Sequence, residues 1–248
     1  MDDDEGQITL SSLDELSIHS HPVLVAKVSQ LRNKDTKSHE FRQLTKQIAT
    51  ILGLEASRNL DVKPVPGLRT PIAPYTGAAI ASRVGIMPIL RAGIGMTEGK
   101  PACQPVIPSH ELTDNLPALL DLFPDAPVYH LGIYRDQMTL DAVEYYQKLP
   151  PEPEVDTVFI LDPLIATGGT AIAAINAAYD WGVPISHIKL ISIIASMPGL
   201  RRVLSACPGI EIHVAAVDAD LDKGIIVPGL ADCGDRLFPQ SYGVPKHH

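Results

Sequence analysis

The sequence predicts an α/β fold, and three observations lead there. First, Val84–Leu90 (VGIMPIL), Val158–Leu161 (VFIL) and Ile188–Ala195 (IKLISIIA) are short apolar runs that end in glycine or polar residues, with His213–Val217 (HVAAV) as a fourth. Runs this short and this apolar suit strands buried on both faces, as in a parallel sheet. Second, the Ala-rich stretch Thr170–Trp181 carries Ile172, Ile175 and Tyr179 on one side, which is a helical spacing. It stops at Gly182, and Pro184 follows, a sensible helix end. Third, the order strand, glycine loop, helix, strand is a βαβ crossover, right-handed by default. Ligands in such sheets bind at the carboxyl ends of the strands.

The remaining elements follow in chain order. Residues 1 to about 20 open with the acidic MDDDEGQ and show no periodic apolar face, so they read as a mobile leader. His19 and His21 in it have the spacing of solvated leader side chains rather than of a metal pair with carboxylate company. Residues 21–248 then form a single domain. Val23, Val25, Val28 and Leu31, followed by Phe41, Leu44, Ile48, Ile51 and Leu52, predict two helices around a polar turn at Asn33–Ser38. Asp61–Thr76, with Pro64, Pro66, Pro71 and Pro74, predicts an extended, turn-rich connection or edge structure. Proline clusters again at Lys100–Pro127 and Leu149–Pro153, marking excursions outside the sheet. A last helix is expected over Gly199–Ala206, before Pro208.

Composition excludes several classes. With 248 residues, the chain can bury a sizeable core without disulfides or a structural metal. The net charge of −9 opposes phosphate backbones, so nucleic acid is not an expected partner. No stretch reads as a spanning helix and the first residues do not resemble a secretory signal, so the expected setting is cytoplasmic, without membrane. Cys103, Cys207 and Cys233 lie far apart with no CxxC, which fits neither a disulfide framework nor a zinc knuckle. No Ser-His-Asp or Cys-His arrangement has motif support for nucleophilic hydrolysis.

The segment most informative about chemistry is Val158–Thr170, VFILDPLIATGGT. A buried strand delivers Asp162 at its carboxyl end, and the loop Pro163–Leu164–Ile165–Ala166 leads to Thr167–Gly168–Gly169–Thr170 at a helix start. Glycines let backbone N–H groups wrap an anion, and the helix N-terminus adds partial positive charge. The Lys of GxxxxGK[ST] is missing, which disfavours nucleotide hydrolysis of that type, and so is GxGxxG spacing. Asp162 one loop ahead of a phosphate cradle suits the vicinal hydroxyls of a ribose. Read alone, the same residues also serve as a capped turn and a tight bend.

LDPLIATGGT resembles the diphosphate-sugar signature of phosphoribosyltransferases in its Asp-Pro form, that of the uracil phosphoribosyltransferase family in the type I superfamily. Met87–Gly95 (MPILRAGIG) resembles that family's pyrophosphate loop. Ile133–Leu140 (IYRDQMTL) with Tyr145–Pro150 (YYQKLP) resembles its arm, and Ile226–Arg236 (IVPGLADCGDR) its uracil-recognition segment. The front, from His21–Pro22 through Phe41–Arg42 to Leu54–Glu55–Ala56, is similar too, so the resemblance runs from about His21 to Phe238.

This resemblance implies a phosphoribosyltransferase-type parallel sheet core flanked by helices, with a small hood and an extended arm at about 132–150. It implies transfer of the phosphoribosyl group of 5-phosphoribosyl diphosphate to uracil, giving UMP and pyrophosphate. Arg91, Arg135 and Asp232 are implied as catalytic. Arg91, Arg135, Asp232 and the run Asp162, Pro163, Leu164, Ile165, Ala166, Thr167, Gly168, Gly169 and Thr170 are implied to bind the donor. The backbone at Arg91 is expected to turn sharply, through a non-proline cis peptide, to offer N–H groups. Base recognition is implied at Ile226, Ala231, Asp232 and Cys233, largely through main chain, within a segment of about 223–239. Magnesium would come with the donor, held by diphosphate and water near Asp232, with no direct protein ligand assigned. A homodimer or homotetramer and a GTP effector are further implications.

The family commonly has Tyr where this chain has Ile225, Gly where it has Ala231, and a different small or aromatic residue at Cys233. Ala231 matters if that position needs a positive φ. These changes raise two alternatives: a non-catalytic nucleotide-sensing or scaffolding member of the fold, and an RNA-binding regulator. The retained Arg91, Asp162, TGGT, Arg135 and Asp232 oppose the first, and the net charge opposes the second.

Overall fold

Apolar runs that alternate between two buried faces build the centre of the molecule. The computed structural model describes residues 15–97, 119–135, 142–147 and 149–239. The strands are β1 (Leu16–Ile18), β2 (Val62–Arg69), β3 (Pro74–Ile80), β4 (Val84–Leu90), β5 (Leu131–Arg135), β6 (Ala142–Gln147), β7 (Thr157–Leu161), β8 (Leu164–Ile165), β9 (Ile188–Ser196), β10 (Glu211–Asp218), β11 (Asp220–Asp222) and β12 (Ile225–Val227). The helices are α1 (Pro22–Arg32), α2 (Ser38–Ala56), α3 (Ile94–Thr97), α4 (Leu119–Leu122), α5 (Gly169–Trp181), α6 (Met197–Ala206) and α7 (Cys233–Leu237). The main sheet runs β1-β10-β9-β7-β4-β5-β6, with β8 beside β9. Every pair in it is parallel except β5 with β6. The four apolar runs are β4, β7, β9 and β10, as expected.

Successive residues of these strands enter opposite cores, which is why the runs show no polar alternation. Met87, Val158 and Ile160 face the core that packs on α5 and α6. Their neighbours Ile86, Phe159 and Leu161 face the core that packs on α2 through Phe41, Leu44, Ile48 and Leu52. Helix α5 ends where Gly182 takes a left-handed φ of 116°, the conformation glycine adopts without cost. No helix among the described residues is long and apolar enough to cross a membrane.

One expectation needs correction. The leader was expected to extend to about residue 20, but Leu16–Ile18 forms a parallel edge strand on β10, and His21 accepts a hydrogen bond from the Val23 N–H at the start of α1. Three residues are too few to show a period, and their partners lie nearly 200 positions away. Residues 1–14 are outside the described set. The expected arm at about 132–150 contributes β5 and β6, the antiparallel hairpin at the edge of the main sheet, with residues 136–141 and 148 outside the described set. The hairpin that stands apart is β2–β3, which pairs only with itself among the described strands and exposes Val62, Ile72, Tyr75 and Ile80. The proline-rich Asp61–Thr76 reading covers most of it.

Strand β1 is held by more than its ladder. His19 stacks on His213 of β10, its Nε2 3.0 Å from His213 Nδ1. His213 Nε2 meets Glu211 at 2.7 Å, and Lys189 of β9 meets the same carboxylate at 3.1 Å. Lys189 is buried and also donates to the Ala56 carbonyl at 2.6 Å and to Asn59. Burial pushes the Glu211 carboxyl up, but the hydrogen bonds and charges of His213 and Lys189 overcome it and hold it at about 2. A carboxyl lowered on folding stabilises the fold above its unfolded value, and that contribution fades as pH falls through the folded one. Stability is therefore expected to erode between roughly pH 5 and pH 2, and Glu211→Gln to flatten that slope in thermal melts. An unchanged slope in the variant would assign the acid sensitivity elsewhere.

Candidate active site

The sheet order reverses between β4 and β7: from β4 the chain steps outward to β5, and from β7 it steps the other way to β9 and β10. A crevice outside the carboxyl ends of strands at such a point is where open α/β sheets bind ligands. A cavity of about 340 Å³ opens there, lined by Leu90 at the end of β4 and Arg91 after it, Ile133 of β5, Asp162 and Leu164 after β7, Thr170 of α5, and Asp232, Cys233 and Gly234 at the start of α7. A larger cavity of about 660 Å³ lies at the opposite strand ends, between Arg83, Phe123 and Glu154, away from these residues.

Each wall has a local cause. After β7 the Asp162 carboxylate accepts from the Leu164 N–H at 3.4 Å, which turns the loop back toward β9. The loop reaches Gly168, whose left-handed φ of 79° turns the chain into the start of α5. Its back rests on the start of α6: Ser196 Oγ donates to the Ala166 carbonyl, and Ser196 also caps α6 by accepting from Gly199 N–H at 2.9 Å. A Cβ at Gly199 would sit 2.2 Å from the Ala166 carbonyl oxygen, so only glycine lets the helix approach the loop this closely. Ser196 and Gly199 were invisible as site-builders in the sequence, where they read as the end of one strand and the start of a helix.

On the other side, the Leu90–Arg91 peptide is cis, as expected from the resemblance. Arg91 is exposed, and its Nη2 approaches Asp235 Oδ1 at 3.5 Å. Asp232 caps α7, its Oδ1 accepting from the Asp235 N–H at 2.8 Å. Cys233 is buried, and its thiol is pushed well up by that burial and by the Asp162 and Asp232 charges. It is a packed small side chain rather than a nucleophile.

Of the residues singled out in the sequence, Arg91, Asp162, Leu164, Thr170, Asp232 and Cys233 share the cavity. Pro163, Ile165, Ala166, Thr167, Gly168 and Gly169 form the chain between its walls, with Arg202 of α6 donating to the Thr167 carbonyl at 3.4 Å. Arg135 ends β5 opposite Ala142; its side chain and residues 136–141 are outside the described set. Ile226 is buried in β12, and neither it nor Ala231 lines the cavity. Ile89, Ala92, Ile133 and Gly234 line it without having been singled out. Next to it, Asp235 is exposed near Arg91, while Arg236 reaches the Leu230 and Asn33 carbonyls.

The segment 223–239, implied by the resemblance in base recognition, opens at the turn of the β11–β12 hairpin, where Lys223 and Gly224 have φ 49° and 82°. Two positive φ values match the right-handed strand twist of a two-residue hairpin. After it, Val227–Pro228 is cis and Ala231 adopts φ 66°, the conformation feared for that position. A left-handed φ costs a residue with a Cβ about 1–2 kcal/mol, of which glycine's chain entropy returns about 0.5–1 kcal/mol. Ala231→Gly is therefore expected to raise Tm by roughly 2–4 °C at most, and a lowered Tm would show that the methyl packs usefully.

With this geometry in hand, comparison with known proteins is decisive. The family model described as uracil phosphoribosyltransferase matches residues 18–239. The chain belongs to the uracil phosphoribosyltransferase family. A relative named uracil phosphoribosyltransferase from Roseiflexus castenholzii is 42% identical over 227 residues, covering 91% of this chain and 99% of its own. One of the same name from Geobacillus kaustophilus is 40% identical over 228 residues, with 91% and 99% covered. Among solved structures, the AQ2163 protein from Aquifex aeolicus superimposes with a TM-score of 0.74 at 32% identity, covering 92% of this chain and 100% of its own. Around the cavity, β4, β5, β7 with α5, and α7 bring together residues of the four motifs read from the sequence.

Proposed function

We propose that this chain transfers the phosphoribosyl group of 5-phosphoribosyl diphosphate to uracil, giving UMP and pyrophosphate. The observation that carries this reading is the meeting of Arg91, Asp162, Thr170 and Asp232 around one cavity at the switch point of the sheet. Asp162 accepts hydrogen bonds from the ribose hydroxyls. The amides and hydroxyls of Thr167–Thr170, with the positive end of α5, hold the 5′-phosphate. Arg91, assisted by Arg135, takes the charge that builds on the departing diphosphate. Uracil is read by the main chain around Ile226 and Ala231–Cys233, and Asp232 faces both substrates. The C1–oxygen bond breaks with its electron pair leaving on pyrophosphate, the ribose carbon becomes oxocarbenium-like, and uracil N1 closes on it as the N1 proton passes to water. The enzyme needs no covalent nucleophile, since positioning and charge stabilisation suffice.

Among the described residues no group of three His, Cys, Asp or Glu side chains is placed to hold a metal ion. Asp162 and Asp232 face the cavity as two carboxylates, a donor set that fits Mg²⁺ carried mainly by phosphate oxygens and water. When bound, Mg²⁺ would neutralise diphosphate charge. The proposal includes a homodimer or homotetramer, for which the exposed apolar side chains of β2–β3 provide surface.

The test is to incubate the protein with 5-phosphoribosyl diphosphate, Mg²⁺ and each of several bases, and to resolve the nucleotides by chromatography. UMP from uracil alone is expected. If no base reacts while the donor still binds, the sensing or scaffolding alternative replaces the enzyme.

A further inference from the structure

The base-recognition segment has a peculiar difficulty. Between β12 and α7 it runs for five residues, Pro228 to Asp232, outside any strand or helix. Two of these, Gly229 and Ala231, sit at left-handed φ values of 53° and 66°. Main-chain recognition of a base demands amides and carbonyls held at fixed angles, yet this run has no ladder partner to hold them. What holds it is a set of arginines. Arg32, the last residue of α1, forms a two-pronged pair with Asp218 at the end of β10, Nη1 to Oδ2 and Nη2 to Oδ1 both at 2.7 Å. The same pair grips Gly229 from both sides: Arg32 Nη1 donates to its carbonyl at 3.0 Å, and its N–H donates to Asp218 Oδ2 at 2.9 Å.

Further along, Arg236 donates to the Leu230 carbonyl at 3.2 Å and to the Asn33 carbonyl at 2.6 Å, with its guanidinium 4.3 Å from the Phe41 ring centroid. Arg42 of α2 donates to the Leu237 carbonyl at 2.9 Å. The corner between α1 and α2 thus secures the segment on both sides of the residues that face the cavity, at Gly229 and Leu230 before them and at Leu237 after them. Gly229 is the keystone, because a Cβ there would lie 2.2 Å from the Ile226 carbonyl oxygen and only glycine fits.

We propose that Arg32 and Asp218 are positioning residues for uracil: their ion pair sets both backbone groups of Gly229 and so orients the amides and carbonyls at Ala231–Cys233 that read the base. This rests on the proposed uracil transfer and assigns a role to residues outside its motifs. Neither residue lines the cavity, so the effect is transmitted through the segment. Because the 5′-phosphate loop is built on β7, α5 and α6 instead, and the Asp232 carboxylate is held separately by the Asp235 N–H at 2.8 Å, donor binding is expected to be insensitive. A Lys at position 32 keeps the charge and length but cannot bridge both carboxylate oxygens and the Gly229 carbonyl in one plane.

The experiment compares wild type, Arg32→Lys and the double variant Arg32→Met/Asp218→Leu, which leaves no unpaired buried charge. Measured are KM for uracil, kcat, and binding of 5-phosphoribosyl diphosphate by calorimetry. The expected result is a rise of tenfold or more in KM for uracil in both variants, with kcat at saturating uracil within threefold and donor affinity within twofold. A folded Arg32→Lys whose KM for uracil stays within twofold overturns the proposal, as does an equal loss in donor affinity. Failure of both variants to fold also overturns it, since the pair would then serve the fold first. If wild type makes no UMP, the proposed function itself fails, an outcome distinct from active wild type with unaffected variants.

Discussion

Replacing Arg91 by Gln is expected to lower kcat by roughly 10²–10³-fold while leaving Tm almost unchanged. The two effects separate because of where the side chain sits. Arg91 follows β4 at the rim of the cavity, about half exposed, and its contact with Asp235 at 3.5 Å joins two exposed groups. Such surface pairs contribute about 0–1 kcal/mol to folding, so little stability rests on it. The charge that develops on a departing diphosphate, by contrast, has to be met by donors already in place, and a forked guanidinium meets two oxygens at once. Arg91→Lys is expected to recover only part of the rate, because an ammonium is a point charge without that fork. Steady-state kinetics at saturating substrates, with melts of the same preparations, decide the matter. A kcat within a few fold of wild type would remove Arg91 from the leaving-group side.

Gly93→Ala is expected to damage both fold and activity. A Cβ at this position would lie 2.4 Å from the Leu161 carbonyl oxygen and 2.7 Å from both the N and O of Ile89. All three are backbone atoms in the adjacent strands β4 and β7, so no flexible side chain can yield. Separating them costs about 3 kcal/mol, a fall in Tm of roughly 6–12 °C for a chain of this size. The Gly93 N–H also donates to the Ile89 carbonyl at 2.8 Å, which folds the loop carrying Arg91 back on its own strand. Pushing β4 and β7 apart moves Arg91 relative to Asp162, and a displacement near 1 Å between reacting groups can cost about 10²-fold in rate. Melting temperature and kcat/KM are expected to fall together. A variant with wild-type Tm would show that the strands have more freedom than their contacts imply.

Much of this could be read from the chain itself. Val84–Leu90, Val158–Leu161 and Ile188–Ala195 appear as buried strands within a residue or so of their predicted bounds, because burial on both faces leaves a continuous apolar run. Phe41, Leu44, Ile48 and Leu52 predict α2 because a helix buries one stripe. The phosphate loop was legible for a related reason: wrapping an anion with backbone requires glycine, and Thr167–Gly168–Gly169–Thr170 is local in sequence. The β11–β12 hairpin was not legible, since its turn is Lys223–Gly224 rather than one of the commoner Asn-Gly or Asp-Gly pairs.

What the sequence by itself determined was therefore what a local pattern marks: the four buried strands, the principal helices, the anion loop, and the motif order that marks the family. What only the tertiary structure decided was which distant residues meet. Leu16–Ile18 became a strand because β10 offered it an open edge, and Leu131–Arg135 lies beside β4 because that strand had an edge to extend. Arg32 and Asp218, 186 residues apart, hold Gly229 between them, and Gly93 sets the approach of β4 to β7 through a hydrogen atom in place of a methyl group. The physical reason is common to these cases. Hydrophobic periodicity and backbone freedom are properties of neighbouring residues, whereas ion pairs, ladder partners and close backbone contacts exist only after folding has brought remote segments together.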